Sequence, residues 1–149
     1  MTQAKLRAAT VGGSSDDTET AFYDALQKGD IDLLMACWAY EDDIVCIHPG
    51  GPCMVGTGAI RAGFEALFAH NTIRAQISRV RKVESLTSAM HSVLEHVEVL
   101  LPDGPREAFV IATNVYHQTP QGWRLVLHHA SPGTPNEAQE VTERPVQLH

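Results

Sequence analysis

Two histidines, one asparagine and the aromatic residues around them carry the chemistry this chain could do. An imidazole has an unperturbed pKa of about 6.5, so it exchanges protons at neutral pH without the burial a carboxylate needs. His48 stands just before Pro49, at the end of Ile44-Val45-Cys46-Ile47-His48. His129 ends the row Trp123, Leu125, Leu127, His129 within Gly122-Trp123-Arg124-Leu125-Val126-Leu127-His128-His129-Ala130-Ser131-Pro132. If both face one hollow, the pair serves as base and acid, or shares one polar ligand. Each also has a plain structural role open to it, His48 at a loop rim and His129 as a core or edge histidine bonded to backbone. Asn114 lies in the row Ala108, Val110, Ala112, Asn114, Tyr116. From there its amide orients His129 or donates to a substrate oxygen, unless it is a solvated strand-end group. Phe22, Tyr23, Trp38, Phe64 and Trp123 suit the wall of an apolar pocket, and equally a core.

Other chemistries find less support. His128 and His129 are adjacent, so on a strand they point to opposite faces and do not share an ion. His91, His96 and His117 are spread over two predicted strands, and no His-x-x-x-His occurs on a helix. No metal and no cofactor is expected. Gly50-Gly51 and Gly56-Thr57-Gly58 read as turn and cap, not as a phosphate loop. The net charge of −7 excludes a nucleic-acid partner, which needs a basic face. Cys37, Cys46 and Cys53 follow no metal spacing and leave one unpaired in any disulfide scheme, as expected of reduced thiols in a cytoplasm. No stretch approaches the roughly 20 apolar residues of a membrane span.

The elements that must position these groups follow from periodicity. Residues 1–15 read as a flexible arm. Asp16, with Glu19 as the second half of a capping box, starts a helix bearing Phe22, Ala25 and Leu26, and Gly29 stops it. Asp30 caps a shorter helix with Leu33, Leu34, Cys37 and Trp38. A short strand over Ile44–His48 runs into the break Pro49-Gly50-Gly51-Pro52. Thr57, after Gly56, caps a third helix, with Ile60, Phe64, Leu67 and Phe68 at helical spacing and Asn71 at its end. Strands are predicted at about Ile73–Val83, Ser88–Leu101, Arg106–Gln118 and Trp123–Ser131, with a hairpin at Pro102-Asp103-Gly104-Pro105. Residues 133–149 read as a polar, flexible tail. Helices followed by long antiparallel strands predict an α+β domain, its helices on one face of a curved sheet. The opposite face is apolar enough to require cover, and a homodimer through that convex face supplies it. The inner row of the last strand is expected to carry Trp123 and His129, with Val126 and His128 turned toward the dimer partner.

These elements resemble a known group. Phe22-Tyr23-Asp24-Ala25-Leu26-Gln27-Lys28-Gly29-Asp30, the strand ending His48-Pro49-Gly50, the helix entry Gly56-Thr57-Gly58-Ala59-Ile60-Arg61 and the closing strand Gly122–Pro132 together look like the nuclear-transport-factor-2-like superfamily, in its SnoaL-like and ketosteroid isomerase-like branch. The resemblance covers about Asp16 to Pro132 and implies a cone-shaped, cystatin-like α+β barrel. It also implies one of several functions, since the fold hosts isomerases, cyclases, dehydratases, binders and oligomerisation modules. In the ketosteroid isomerases the first strand ends in Asp-Pro, and that Asp is the base; His48 occupies the matching position here. Their first helix bears a Tyr that donates to the developing oxyanion. Counting back from Gly29-Asp30, that position is Phe22, with Tyr23 one residue on and rotated by roughly 100°.

Two functions from different classes therefore stand. One is a small-molecule enzyme or binder that moves a proton on a small, mostly apolar carbonyl compound, using His48 or His129 with Asn114 as support. The other is a non-catalytic oligomerisation or partner-binding module, as in the kinase-association branch, with the pocket vestigial.

Overall fold

A computed structural model describes residues 12–143. The arm expected over residues 1–15 lies outside the described residues up to residue 11, and the tail lies outside them from residue 144. The described remainder of the arm is engaged: Trp123 N donates to the Gly12 carbonyl at 3.0 Å.

Helix α1 spans Ser15–Lys28. Its cap is Ser14, whose hydroxyl accepts from Asp17 N, so Asp16 does not cap it and Glu19 does not close a capping box. Ser15, Thr18, Glu19, Phe22 and Tyr23 recur at helical spacing and are all buried, which makes a polar start to an otherwise apolar inner stripe. Gly29, at φ 64°, ends the helix as predicted. Asp30 then caps α2 (Ile31–Ala36) by accepting from Leu33 N. Strand β1 (Val45–Ile47) is followed by β2 (Cys53–Val55), a short antiparallel partner that the Pro49–Pro52 break concealed. Helix α3 runs Thr57–His70 and closes at Asn71; Gly56 and not Thr57 holds the capping position, and no side chain caps the helix. The long strands β3 (Thr72–Glu84), β4 (Ser88–Leu101), β5 (Gly104–Thr119) and β6 (Gly122–Gly133) match their predicted spans within about three residues.

The six strands form one sheet in the order β2-β1-β6-β5-β4-β3, antiparallel except for the β1–β6 pair. The helices cover its inner face, and the core between them centres on Phe22. The Phe22 ring meets Tyr23, Trp38 and Phe64 edge-to-face, with centroids 5.1, 6.4 and 6.1 Å away. This is the predicted α+β architecture of helices on a curved, mostly antiparallel sheet.

Strand β6 carries one irregularity with large consequences. Val115 pairs with Leu127 but Tyr116 pairs with Leu125, leaving Val126 as an extra residue in a β-bulge. The bulge reverses the alternation. Leu125 is inward, but beyond Val126 the inward residues are His128 and Ala130, and His129 is exposed. The predicted assignment of His129 to the inner row and His128 to the outer one is therefore corrected, because a one-residue slip exchanges every following side chain.

The outer face carries a band of aliphatic residues paired directly across every strand. Val55 faces Val45, Val45 faces Leu127, Leu127 faces Val115, Val115 faces Met90, and Met90 faces Val83. Val83, Val55 and Met90 are 65%, 51% and 42% exposed, so the band is open at both ends, at Val55 on one side and at Met90 and Val83 on the other. The described part of the C-terminal segment lies elsewhere, against β3, where Arg79 donates to the Pro135 carbonyl and Arg81 pairs with Glu140.

Candidate active site

Between helices and sheet lies a cavity of about 210 Å³. Pockets for drug-sized ligands run roughly 300–1,000 Å³, so this one suits a small guest. Phe22 and Leu26 of α1, Phe64 and Leu67 of α3, Ile73 of β3, Val97 and Val99 of β4, Val110 of β5 and Ala130 of β6 make its apolar wall. Three lining groups can hydrogen-bond or titrate: His48 after β1, Glu95 on β4 and His128 on β6. None of the lining residues is Lys or Arg.

Glu95 is 5% exposed, and its Oε2 receives the Tyr23 hydroxyl at 2.5 Å. Burial raises its carboxyl from the ordinary 4.5 to about 7, against the opposing pull of the Tyr23 hydrogen bond and with a smaller push from Glu19. Tyr23 is itself driven well above the usual phenol range by burial and by Glu95. His48 packs edge-on to Phe64, centroids 5.0 Å apart, and burial lowers its pKa. His128 is pulled down to about 3 by burial, then by His48 and His129. Both cavity imidazoles are thus neutral at pH 7, while the carboxyl between carboxylate and acid is the group poised to exchange a proton.

Behind the cavity wall runs a buried polar layer. Strand register sets His91 of β4, Asn114 of β5 and His128 of β6 side by side on the inner face. Glu19 reaches down from α1, and its Oε2 accepts from the Tyr116 hydroxyl at 2.7 Å, His91 Nδ1 at 2.9 Å and Asn114 Nδ2 at 3.3 Å. Ser15 Oγ meets His91 Nε2 at 3.1 Å. Asn114 also donates to the Tyr23 oxygen at 3.0 Å, and its carbonyl faces His128 Nδ1. The layer ties the first two turns of α1 to three strands and braces two of the three polar cavity groups.

Of the residues singled out in the sequence, the structure brings His48, Phe22 and Phe64 into the cavity wall and Tyr23 and Asn114 into the layer behind it. His129 is on the other face, paired opposite Thr113, so Asn114 supports His128 and not His129. Trp38 is buried in the core and does not line the cavity, and Trp123 is half-buried beside Gly12, also off the cavity. Sequence reasoning missed Glu95, Glu19 and His91. The signal was the β4 row Ala89, His91, Val93, Glu95, Val97, in which a carboxylate continues an apolar alternation instead of breaking it. Among the described residues no cluster of three or more His, Cys, Asp or Glu could hold a metal ion, and no helix is long and apolar enough to cross a membrane.

The Glu95 shift has a consequence for stability. The folded carboxyl keeps its proton to about pH 7, whereas the unfolded one loses it near 4.5. The proton therefore stabilises the fold fully below pH 4.5, and that contribution is lost as pH rises to 7. His48 and His128, with lowered folded pKa values, act with the opposite sign as pH falls below about 6.5. Comparing Glu95→Gln with the parent cancels the histidine contribution. In urea unfolding, the variant is expected to gain on the parent by on the order of 1–3 kcal/mol between pH 5 and pH 8. An unchanged difference would mean that Glu95 titrates as an ordinary carboxylate.

Comparison with known proteins comes to the same architecture. A candidate dehydratase of the nuclear-transport-factor-2-like family from Streptomyces avermitilis is 28% identical over 78% of this chain and 92% of its own, with a TM-score of 0.73. A protein from Thiobacillus denitrificans, described as a candidate association domain of calcium/calmodulin-dependent protein kinase type II, is 31% identical over 83% of this chain and 98% of its own, with a TM-score of 0.70. A ketosteroid isomerase-like protein from Erwinia carotovora atroseptica shares the fold, with 18% identity over 80% of this chain and 94% of its own and a TM-score of 0.66. No curated protein matches the chain closely enough to count as a relative. The SnoaL-like domain family matches residues 16–135, from the first turn of α1 to just past the end of β6, and the chain belongs to it.

Proposed function

We propose that the protein moves a proton on a small, uncharged, mostly apolar carbonyl compound held in the cavity, with Glu95 as the base. One observation carries this reading: a carboxyl buried in an apolar cavity, raised to about 7, and oriented by a phenol. As carboxylate, Glu95 takes a proton from the carbon next to the carbonyl, and the C–H electron pair passes into an enolate. His48, neutral, offers an N–H to the oxygen on which the charge collects. Glu95 then returns the proton to another carbon, which is isomerisation, or hands it to a β-hydroxyl as the enolate expels that group, so that water leaves and the carboxylate is restored, which is dehydration. The names of the similar dehydratase and ketosteroid isomerase-like proteins favour this class.

The test is exchange of α-protons into D₂O, followed by NMR, across a panel of small cyclic ketones and hydroxyketones. The rate is expected to rise through about pH 7 and level off above it. Glu95→Gln should lower it by about 10²–10⁴-fold, and His48→Ala by about 10²-fold. Exchange that survives in Glu95→Gln, or that shows no inflection near neutrality, would assign the base elsewhere.

The outer aliphatic band favours a second property, self-association through the sheet. It crosses all six strands, and the described tail leaves it open. Met90→Glu places a charge within it and is expected to convert a dimer to a monomer in sedimentation. A parent that sediments as a monomer would remove this proposal and leave the cavity chemistry untouched.

A further inference from the structure

We propose that Glu19, acting through Asn114, holds His128 as the Nδ1–H tautomer, so that the cavity presents a bare Nε2 and takes an uncharged guest carrying a hydroxyl or N–H. The inference rests on the cavity being the ligand site and names the chemistry of its guest. It follows from counting hydrogens along the buried layer.

Glu19 Oε2 already accepts from Tyr116 and from His91 Nδ1, at 2.7 and 2.9 Å. An oxygen in that position has only lone pairs to offer, so the Asn114 amide must turn its nitrogen toward it, as it does at 3.3 Å. The second amide hydrogen meets the Tyr23 oxygen at 3.0 Å, whose own hydrogen is committed to Glu95. Both hydrogens of Asn114 are then placed, and its carbonyl is left against His128 Nδ1 at 2.5 Å. A carbonyl gives no hydrogen, so Nδ1 must carry one. Turning the amide over would set its oxygen against the lone pairs of Glu19 and against the Tyr23 oxygen, whose hydrogen already goes to Glu95. The ring is neutral at pH 7, which leaves Nε2 unprotonated.

Among the described residues nothing uses that lone pair. No residue among the described ones bonds His128 Nε2, and the ring lines the cavity with its Nδ1 turned to Asn114. A guest offering only a carbonyl there would meet lone pair with lone pair. A charged guest would be desolvated without a Lys or Arg to pair with. What fits is a neutral donor, such as an alcohol, enol or phenol. For the reaction proposed above, the substrate is accordingly a hydroxyl-bearing carbonyl compound. Asn114 and Glu19 are positioning residues, because neither touches the guest.

The decisive experiment is a two-bond ¹H–¹⁵N correlation spectrum of histidine-labelled protein at pH 7. The His128 signals are identified as those lost in His128→Phe. The Nδ1–H pattern is expected for His128, and an Nε2–H pattern would overturn the proposal. The wild-type protein decides this without relying on a destabilised variant. Binding is read in parallel by NMR titration with 4-ethylphenol and 4-ethylanisole, which differ in the donor. The phenol is expected to bind about 5–10-fold tighter, the worth of one net hydrogen bond. Equal affinities would count against the proposal. Asn114→Leu removes the carbonyl that fixes the ring, and it should let both tautomers appear and erase the preference for the phenol. Absence of proton exchange in the ketone panel would remove the reaction while leaving this tautomer and its donor preference standing, so the two failures are distinguishable.

Discussion

A carboxyl group folded into an apolar cavity without a cation beside it is the constraint on which the rest of this structure depends. A carboxylate there would lose its hydration with only one hydroxyl in return, which is costly in so apolar a place. The protein resolves the conflict by letting Glu95 keep its proton to about pH 7 and by giving it Tyr23 as a hydrogen-bonding partner. Both answers depend on α1 lying where it does. The aromatic contacts of Phe22 fix the helix against Trp38 and Phe64, and the left-handed stop at Gly29 turns the chain into α2 beneath them.

The polar layer on the far side of Tyr23 serves the same end. His91, Asn114 and His128 lie abreast on neighbouring strands, and Glu19 gathers two of them and Tyr116 onto one oxygen. Such a network has value only if every member is satisfied, since a half-paired buried group costs more than an apolar replacement. The pairing of Ser15, Glu19 and Tyr23 within it explains why polar residues are tolerated on the inner stripe of α1. It also passes orientation from one helix to an imidazole two strands away.

The sequence made the frame legible for definite reasons. Gly29, Asp30 and Asn71 are helix punctuation whose effect is local, and they act as read. The long strands carry period-2 alternation between strong turn residues, so their spans were readable within a few residues. The site was less legible because it depends on register. The Val126 bulge leaves no mark in the sequence, yet it exchanges His128 for His129 at the cavity. Glu95 sits mid-strand, where a carboxylate reads as solvated, and only the apolar company of Val93 and Val97 in its row points inward. Glu19 looked like half of a capping box because its spacing from Asp16 suits one, but Ser14 holds the cap and frees Glu19 to point into the core. The strand β2 was hidden by the Pro49–Pro52 break that makes its turn.

The account comes down to the state of one carboxyl. Side-chain ¹³C labelling of glutamate, with the Glu95 carboxyl resonance followed from pH 3 to pH 9, reads that state without any substrate. The cavity described here requires a midpoint at about 7. A midpoint in the ordinary range at about 4–5 would mean that Glu95 is solvated, and neither the apolar cavity nor its base would survive that result.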